Sequence, residues 1–253
     1  KKEDKTGFDW GIMERNSWNL ESIKQEFDKE NYQKHFEVQK GDVVVDIGAS
    51  VGPFSYSVLK KEPEKLICLE PHPELYKTLE KNVGKDERVT VLNSGISSND
   101  GVVIFDGLYN DDLSSEYRGD DLWRKQSSGK GITFKTLIDK FELEKIDFLK
   151  IDCEGGEYDV FTDENYDWIK NNVRKIAGEW HFGTPELKQK FIKFRDKYLK
   201  YFNDYKVYFV DYHSNFSDLT ESIWNDETIQ NYGWLNIYID NSKKKLTYSE
   251  ENA

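Results

Sequence analysis

Two turns rich in acids and glycines, together with one histidine, have the residue types and spacing for chemistry in this sequence. The first turn is Asp46-Ile47-Gly48-Ala49-Ser50-Val51-Gly52, which closes the β-branched run Val43-Val44-Val45 and precedes Pro53. An apolar run, a tight glycine turn and a helix opening at proline make a strand–turn–helix unit, the device by which α/β proteins hold a nucleotide-like ligand. Glycine is needed where the backbone turns sharply and a ligand approaches closely. The spacing is Asp-x-Gly-x-x-x-Gly, not the dinucleotide pattern Gly-x-Gly-x-x-Gly, because Ser50 stands two residues after Gly48. Glu70 ends the next apolar run, Leu66-Ile67-Cys68-Leu69, where a carboxylate can accept hydrogen bonds from two ribose hydroxyls. Asp46 lies within an apolar run, and acids are seldom buried without a purpose.

The second turn is Asp152-Cys153-Glu154-Gly155-Gly156-Glu157, at the end of the buried-strand pattern Ile146–Ile151. In a doubly wound sheet that strand lies beside the first, which points Asp152 at the ligand crevice. His181 closes a later strand, Glu179-Trp180-His181, and is the leading general base, since imidazole titrates at about pH 6.5. Asp152 is the alternative base, or the group that orients the imidazole or a substrate hydroxyl. Glu154 and Glu157 also suit a capping turn that bonds helix N–H groups. Asp152, Glu154, Glu179 and His181 offer oxygen and imidazole ligands, but nothing in their spacing demands a metal, and none is expected.

The elements that must position these residues read as one α/β domain over 41–240, with an N-terminal helical extension over 1–40 and a polar tail over 241–253. Leu20, Ile23, Phe27 and Phe36 fit an amphipathic helix or two, read as a cap over one end of the site or as a helix simply packing on the sheet. Strands are expected at 43–47, 65–69, 89–92, 102–105, 146–151, 175–180, 205–210 and 235–239. Helices are expected after Pro53, over 74–83 with Gly84 as C-cap, over 160–169, and from Pro185 to Tyr201. Residues 106–131 show neither strand nor helix period and read as an insertion; the 211–234 connection is the second.

Lys and Arg number 36 against 48 Asp and Glu, a net charge of −12, and no basic run exceeds Lys243-Lys244-Lys245. Duplex nucleic acid is therefore not an expected partner, because phosphate neutralisation needs clustered cations. No apolar run is long enough to span a bilayer, and the start carries no signal-peptide pattern. Cys68 and Cys153 read as reduced thiols, so the expected compartment is the cytoplasm, and the four histidines and two cysteines lack a zinc spacing. Aromatic residues make up 15% of the chain, more than a core of this size needs, so some should line a binding surface.

Asp46, Gly48, Gly52 and Glu70 together resemble the S-adenosylmethionine (SAM) site of class I methyltransferases. The segments Val-Val-Asp-Ile-Gly-Ala-Ser-Val-Gly, Leu-Glu-Pro-His-Pro, Thr-Phe-Lys-Thr-Leu-Ile-Asp and Asp-Phe-Leu-Lys-Ile-Asp-Cys-Glu-Gly-Gly-Glu follow one another in this order. In that arrangement the chain resembles the FkbM family of SAM-dependent O-methyltransferases, from about Gly41 to His181. His72 departs from the family, which often has Asn there. The resemblance implies a single doubly wound class I sheet of seven strands, the last antiparallel, with SAM as cofactor and S-adenosylhomocysteine as product. It implies cofactor contacts from Asp46, Gly48, Ala49, Gly52 and Glu70, from Ser94 and Gly95 near the adenine, and from Asp152 and Glu154 near the methyl or methionine end.

The family resemblance further implies methylation of hydroxyls, on macrolides in some members and on sugars or glycans in others. The acidic and aromatic character of the two unmatched loops favours a sugar hydroxyl, in a glycan or glycolipid, with Trp123, Tyr212, His213 and Trp224 as candidate substrate contacts. A polyketide-type small-molecule O-methyltransferase and a catalytically inactive SAM- or glycan-binding module are the alternatives. A base methyltransferase of nucleic acid is disfavoured, because Asp152-Cys153-Glu154-Gly155 stands where Asn/Asp-Pro-Pro-aromatic would be expected. The chain opens on Lys1, which suggests fusion to glycosyltransferase domains in a longer parent.

Overall fold

The structure is a computed structural model that describes residues 7–11, 24, 30–106, 126–211 and 213–242. Its strands are β1 (Val43–Ile47), β2 (Lys65–Leu69), β3 (Val89–Leu92), β4 (Gly95–Ile96), β5 (Gly101–Asp106), β6 (Gln126–Ile132), β7 (Ile146–Ile151), β8 (Val173–His181), β9 (Tyr205–Val210), β10 (Phe216–Asp218) and β11 (Trp234–Asp240). Between them run α1 (Pro53–Leu59), α2 (Pro73–Val83), α3 (Phe134–Lys140), α4 (Glu157–Val160), α5 (Asp163–Asn172), α6 (Pro185–Lys197) and α7 (Asp226–Gln230).

The main sheet has the order β10-β9-β11-β8-β7-β1-β2-β3. β3, β2, β1, β7 and β8 pair in parallel, and β11 lies antiparallel between β8 and β9. This is the doubly wound class I sheet with its last strand reversed. It has eight strands, not seven, because the chain turns back after β9 and adds β10 antiparallel along the open edge.

Strand alternation divides the core between two faces. One face carries Val44, Leu66, Cys68, Phe148, Ala177 and Tyr238, covered by Phe54 and Val58 of α1 and Leu79 and Val83 of α2. Tyr32 and Val38 from the N-terminal segment complete that cover. The other face carries Val45, Ile47, Leu149, Ile151, Ile176, Trp180 and Ile237, under Phe134 and Leu137 of α3, Ile169 of α5, and Phe191 and Phe194 of α6.

Three expectations need correction. Residues 106–131 are not all insertion: β6 starts at Gln126 and pairs antiparallel with β5 and parallel with β4, forming a separate three-stranded sheet. Its sequence, Gln-Ser-Ser-Gly-Lys-Gly-Ile, has one β-branched residue, so pairing and not propensity makes it a strand. The helix expected over 160–169 is two helices, α4 and α5, split around Phe161-Thr162, where the Thr162 side chain accepts a hydrogen bond from Asn165 N and caps the second. The long helix from Pro185 stops at Lys197, and Leu199–Tyr201 forms a 3-10 turn. The described part of the N-terminal extension holds a 3-10 turn at Asn31–Gln33 entered through left-handed Glu30 (φ 49°), and most of the expected helical cap lies outside the described residues. Among the described residues no helix is long and apolar enough to cross a membrane.

Candidate active site

The glycine turn after β1 is held by its neighbour strand: Gly48 N and Ala49 N both donate to Leu69 O, at 3.0 and 2.9 Å. Gly48, Ser50 and Gly52 all have positive φ, 76°, 53° and 90°. A Cβ at Gly48 would lie 1.7 Å from the carbonyl oxygen of Asp152, so only glycine lets the β1 and β7 turns touch. Glu70 is buried at the tip of β2. Its carboxylate accepts Ser50 N on Oε2 and His72 N on Oε1, each at 2.8 Å. Burial outweighs those two backbone donors and pushes its pKa up to about 7. Asn93 Nδ2 donates to Glu70 O and Pro71 O, and Asn93 and Ser94 line a cleft of about 460 Å³ with Leu92, Lys130 and Ile132. Gly95, expected near the adenine, opens β4 and packs between Pro71 and Val103, where a Cβ would lie 3.1–3.3 Å from their side chains.

Asp46 does not face the crevice. It is fully buried; its Oδ2 accepts Ser55 Oγ at 2.6 Å and its Oδ1 lies 3.1 Å from Lys150 Nζ. Lys150, opposite Asp46 in the β1–β7 register, also donates to Gly48 O at 2.7 Å. The pair props the glycine turn from beneath. The buried acid therefore has its purpose in Lys150, a charge inside the apolar run Phe148-Leu149-Lys150-Ile151 that only the β1–β7 register brings to it. Tyr32 is likewise brought to the site by the fold alone: its O–H donates to Asp152 Oδ2 at 2.8 Å, and its ring lies 5.2 Å from Lys150 Nζ.

In the second turn Glu157 does not cap α4 as expected but ties the turn itself, bonding amides that precede the helix. Its carboxylate is fully buried and accepts Cys153 N at 3.1 Å and Gly155 N at 2.9 Å. It also lies 3.0 Å from His181 Nδ1. The other ring nitrogen, Nε2, is 3.6 Å from Glu179, 3.7 Å from Glu154 and 3.9 Å from Asp152. Burial works against the charged ring, but Glu154, Glu157 and Asp152 outweigh it and hold the His181 pKa well above 6.5. Glu179 is bonded across the sheet by Asn236 Nδ2 at 3.3 Å, from the strand that pairs it in register. Burial pushes the thiols of Cys68 and Cys153 up, so neither is poised as a thiolate nucleophile.

The substrate contacts expected in the two loops fare unequally. Trp123 and Tyr212 lie outside the described residues. His213 is exposed on the turn after β9, at the same end of the sheet as His181, and the neighbouring Ser214 accepts Asn31 Nδ2 at 3.4 Å. Trp224 is carried away from the site. Its ring packs 6.5 Å from that of Tyr205, under the Arg195 guanidinium at 5.6 Å. Tyr205 pairs with Ile239 and that with Ile176, five residues before His181, or about 16 Å down the sheet at strand rise.

The model of the methyltransferase FkbM domain matches residues 46–207. The chain belongs to the FkbM methyltransferase family. Among curated proteins, Methyltransferase sdnD of Sordaria araneosa is 26% identical over 166 residues, 51% of this FkbM chain and 64% of that protein. The chain thus spans less than two thirds of that relative. Among solved structures, an FkbM methyltransferase from Methylobacillus flagellatus KT is 17% identical with a TM-score of 0.42, covering 81% of this chain and 45% of that one. A putative methyltransferase from Streptococcus mutans, in complex with SAH, is 9% identical with a TM-score of 0.45, covering 87% and 97%.

Proposed function

We propose that this FkbM-family chain transfers a methyl group from SAM to a sugar hydroxyl, within a glycan or glycolipid. The observation that carries the reading is the junction at Gly48, where the turn bearing Glu70's contacts touches the turn bearing Asp152. The residues fit the cofactor: a buried carboxylate fixed by two backbone N–H groups at the tip of β2 suits a ribose diol, and it sits beside the glycine turn that closes β1. Glu70 would take the ribose hydroxyls, the backbone at Gly48, Ala49 and Gly52 would line the nucleoside, Ser94 and Gly95 would lie on the adenine side, and Asp152 and Glu154 at the methionine end. Bound there, SAM supplies a methyl carbon that the acceptor oxygen takes as the carbon–sulfur bond breaks.

The chain must then align the acceptor and take its proton. Both His181 nitrogens face carboxylates, which raise its pKa well above 6.5 and favour the charged ring, so it is ill suited to accept a proton. Asp152, with more exposure than His181, is the base, and His181 positions it. This reverses the order expected from residue type alone. Asp152, Glu154 and Glu179 offer carboxylate acceptors at the opening, which suits a polyhydroxyl acceptor better than an apolar one.

Calorimetric titration with S-adenosylhomocysteine tests the cofactor reading. Wild type should bind, and Glu70→Ala should weaken binding about 100-fold, the loss of two hydrogen bonds to a charged group. A folded wild type that binds neither S-adenosylhomocysteine nor SAM overturns the proposal. The affinity should also depend on pH. Ribose hydroxyls favour the ionised carboxylate, so below the raised Glu70 pKa of about 7 a proton must leave before the ligand binds. Affinity for S-adenosylhomocysteine should therefore rise with pH, be about tenfold lower at pH 6 than at its plateau, and level off above pH 8. A flat profile in wild type would remove Glu70 from the binding step. Mass gain of one methyl on saccharide acceptors tests the sugar.

A further inference from the structure

We propose that Tyr32 is a positioning residue for the methyl-transfer step: its O–H holds one oxygen of Asp152 and so presents the other to the acceptor. Tyr32 lies outside residues 46–207, the span that the family model matches, so the N-terminal segment becomes part of the machinery and not merely a cover over the sheet.

The geometry is built to hold that hydroxyl still. The 3-10 turn Asn31–Gln33 is tied to the last strand by Tyr238, whose buried O–H donates to Asn31 O at 2.7 Å. Gln33 Oε1 accepts Val38 N at 3.0 Å, fixing the segment that follows. The Tyr32 ring is 9% exposed, packs edge-on against Phe54 at 6.0 Å, and has Lys150 Nζ near its face. A ring clamped on both sides can place its O–H only where the backbone directs it, and here that is Asp152 Oδ2, at 2.8 Å.

The consequence concerns the other carboxylate oxygen. Asp152 Oδ1 is the atom turned toward His181, at 3.9 Å from Nε2. Among the described residues the charged groups around Asp152 include His181 on β8 and Glu157, each with an atom within 4.8 Å, Glu154 and Glu179 on the same imidazole, and Lys150 beyond the Tyr32 ring. A carboxylate rotates about its terminal bond, so without a donor on Oδ2 the two oxygens would exchange. With Tyr32 in place the same oxygen always meets the acceptor.

The role as positioning residue rests on the reading of Asp152 as the base, whereas the hydrogen bond itself can be tested without cofactor or acceptor. The variant is Tyr32→Phe, which keeps the ring and its packing. In protein labelled with carbon-13 at aspartate carboxyls, the Asp152 carboxyl resonance at a fixed neutral pH should move in the variant as its donor is lost, with the amide spectrum otherwise preserved. An unmoved resonance overturns the proposal whatever the enzyme methylates. With SAM and saccharide acceptors, Tyr32→Phe should lower kcat about 10- to 100-fold and leave the acceptor KM and the affinity for S-adenosylhomocysteine within about twofold. Equal loss in KM and kcat would make Tyr32 a packing residue only. A failure of S-adenosylhomocysteine to bind wild type would instead strike the cofactor reading and leave the carboxyl resonance test standing.

Discussion

Asp152→Asn is expected to lower methyl transfer about 10²–10⁴-fold, far more than it lowers the affinity for S-adenosylhomocysteine. An alcohol is a poor nucleophile until its proton begins to leave, so the base acts in the transition state and not in ground-state binding. Asparagine keeps the shape of the side chain and can still accept the Tyr32 O–H, but it cannot take a proton. The decisive comparison is with His181→Ala in the same assay. Both nitrogens of His181 face carboxylates, so its removal should disturb Asp152 through like-charge repulsion from Glu154, Glu157 and Glu179 and cost less than Asp152→Asn. A larger loss in His181→Ala, with Asp152→Asn near wild type, would return the proton to the imidazole.

The second large effect is on stability. Lys150→Met should cost about 3–5 kcal/mol, because it leaves the Asp46 carboxylate buried with no countercharge and takes a donor from Gly48 O. A domain of this kind is stable by only about 5–15 kcal/mol, so the variant should unfold at much lower urea concentration. Removing the opposite charge as well should recover part of the loss: Asp46→Asn in the Lys150→Met background leaves no buried ion and can still accept Ser55 Oγ. The two single variants and the double variant, unfolded in urea, give the coupling directly. A loss below about 1 kcal/mol in Lys150→Met would mean that the ammonium does not neutralise Asp46.

These two side chains show where sequence is readable and where it is not. The parallel strands could be bounded to within a residue or two because Val43–Ile47, Lys65–Leu69 and Ile146–Ile151 are short apolar runs that change abruptly into glycine, proline or acid. Glu70 was legible for the same reason, as an acid at the end of such a run. Asp46 was recognisable as unusual, but its partner stands in another strand and becomes its neighbour only through the register of β1 with β7. Tyr32 is likewise 120 residues from the carboxylate it holds. No local pattern marks either pair.

Trp224 failed for a different reason. An aromatic residue in a long connection can fold toward either end of a sheet, and here a cationic side chain on α6 and the first residue of β9 draw it to the far end. The β6 strand was missed because its residues favour turns and are held extended by neighbours on both sides. Reversal of the last strand was foreseen; the extra edge strand was not, since Phe216–Asp218 is too short to show alternation.

The placement of β11 between β8 and β9 bears on how the protein comes into being. During synthesis β8 and β9 leave the ribosome well before the strand that joins them, and each then presents an open edge to the solvent. Until residues 234–240 arrive, Glu179 has no Asn236 beside it, and the Asn31 carbonyl has no Tyr238 to bind. The half built from β1 to β3 with α1 and α2 rests on contacts close in sequence and can form early. The half from β8 to β11 cannot. A nascent chain of this protein would therefore close the glycine turn after β1 first and the surroundings of His181 last, with unpaired strand edges exposed in between.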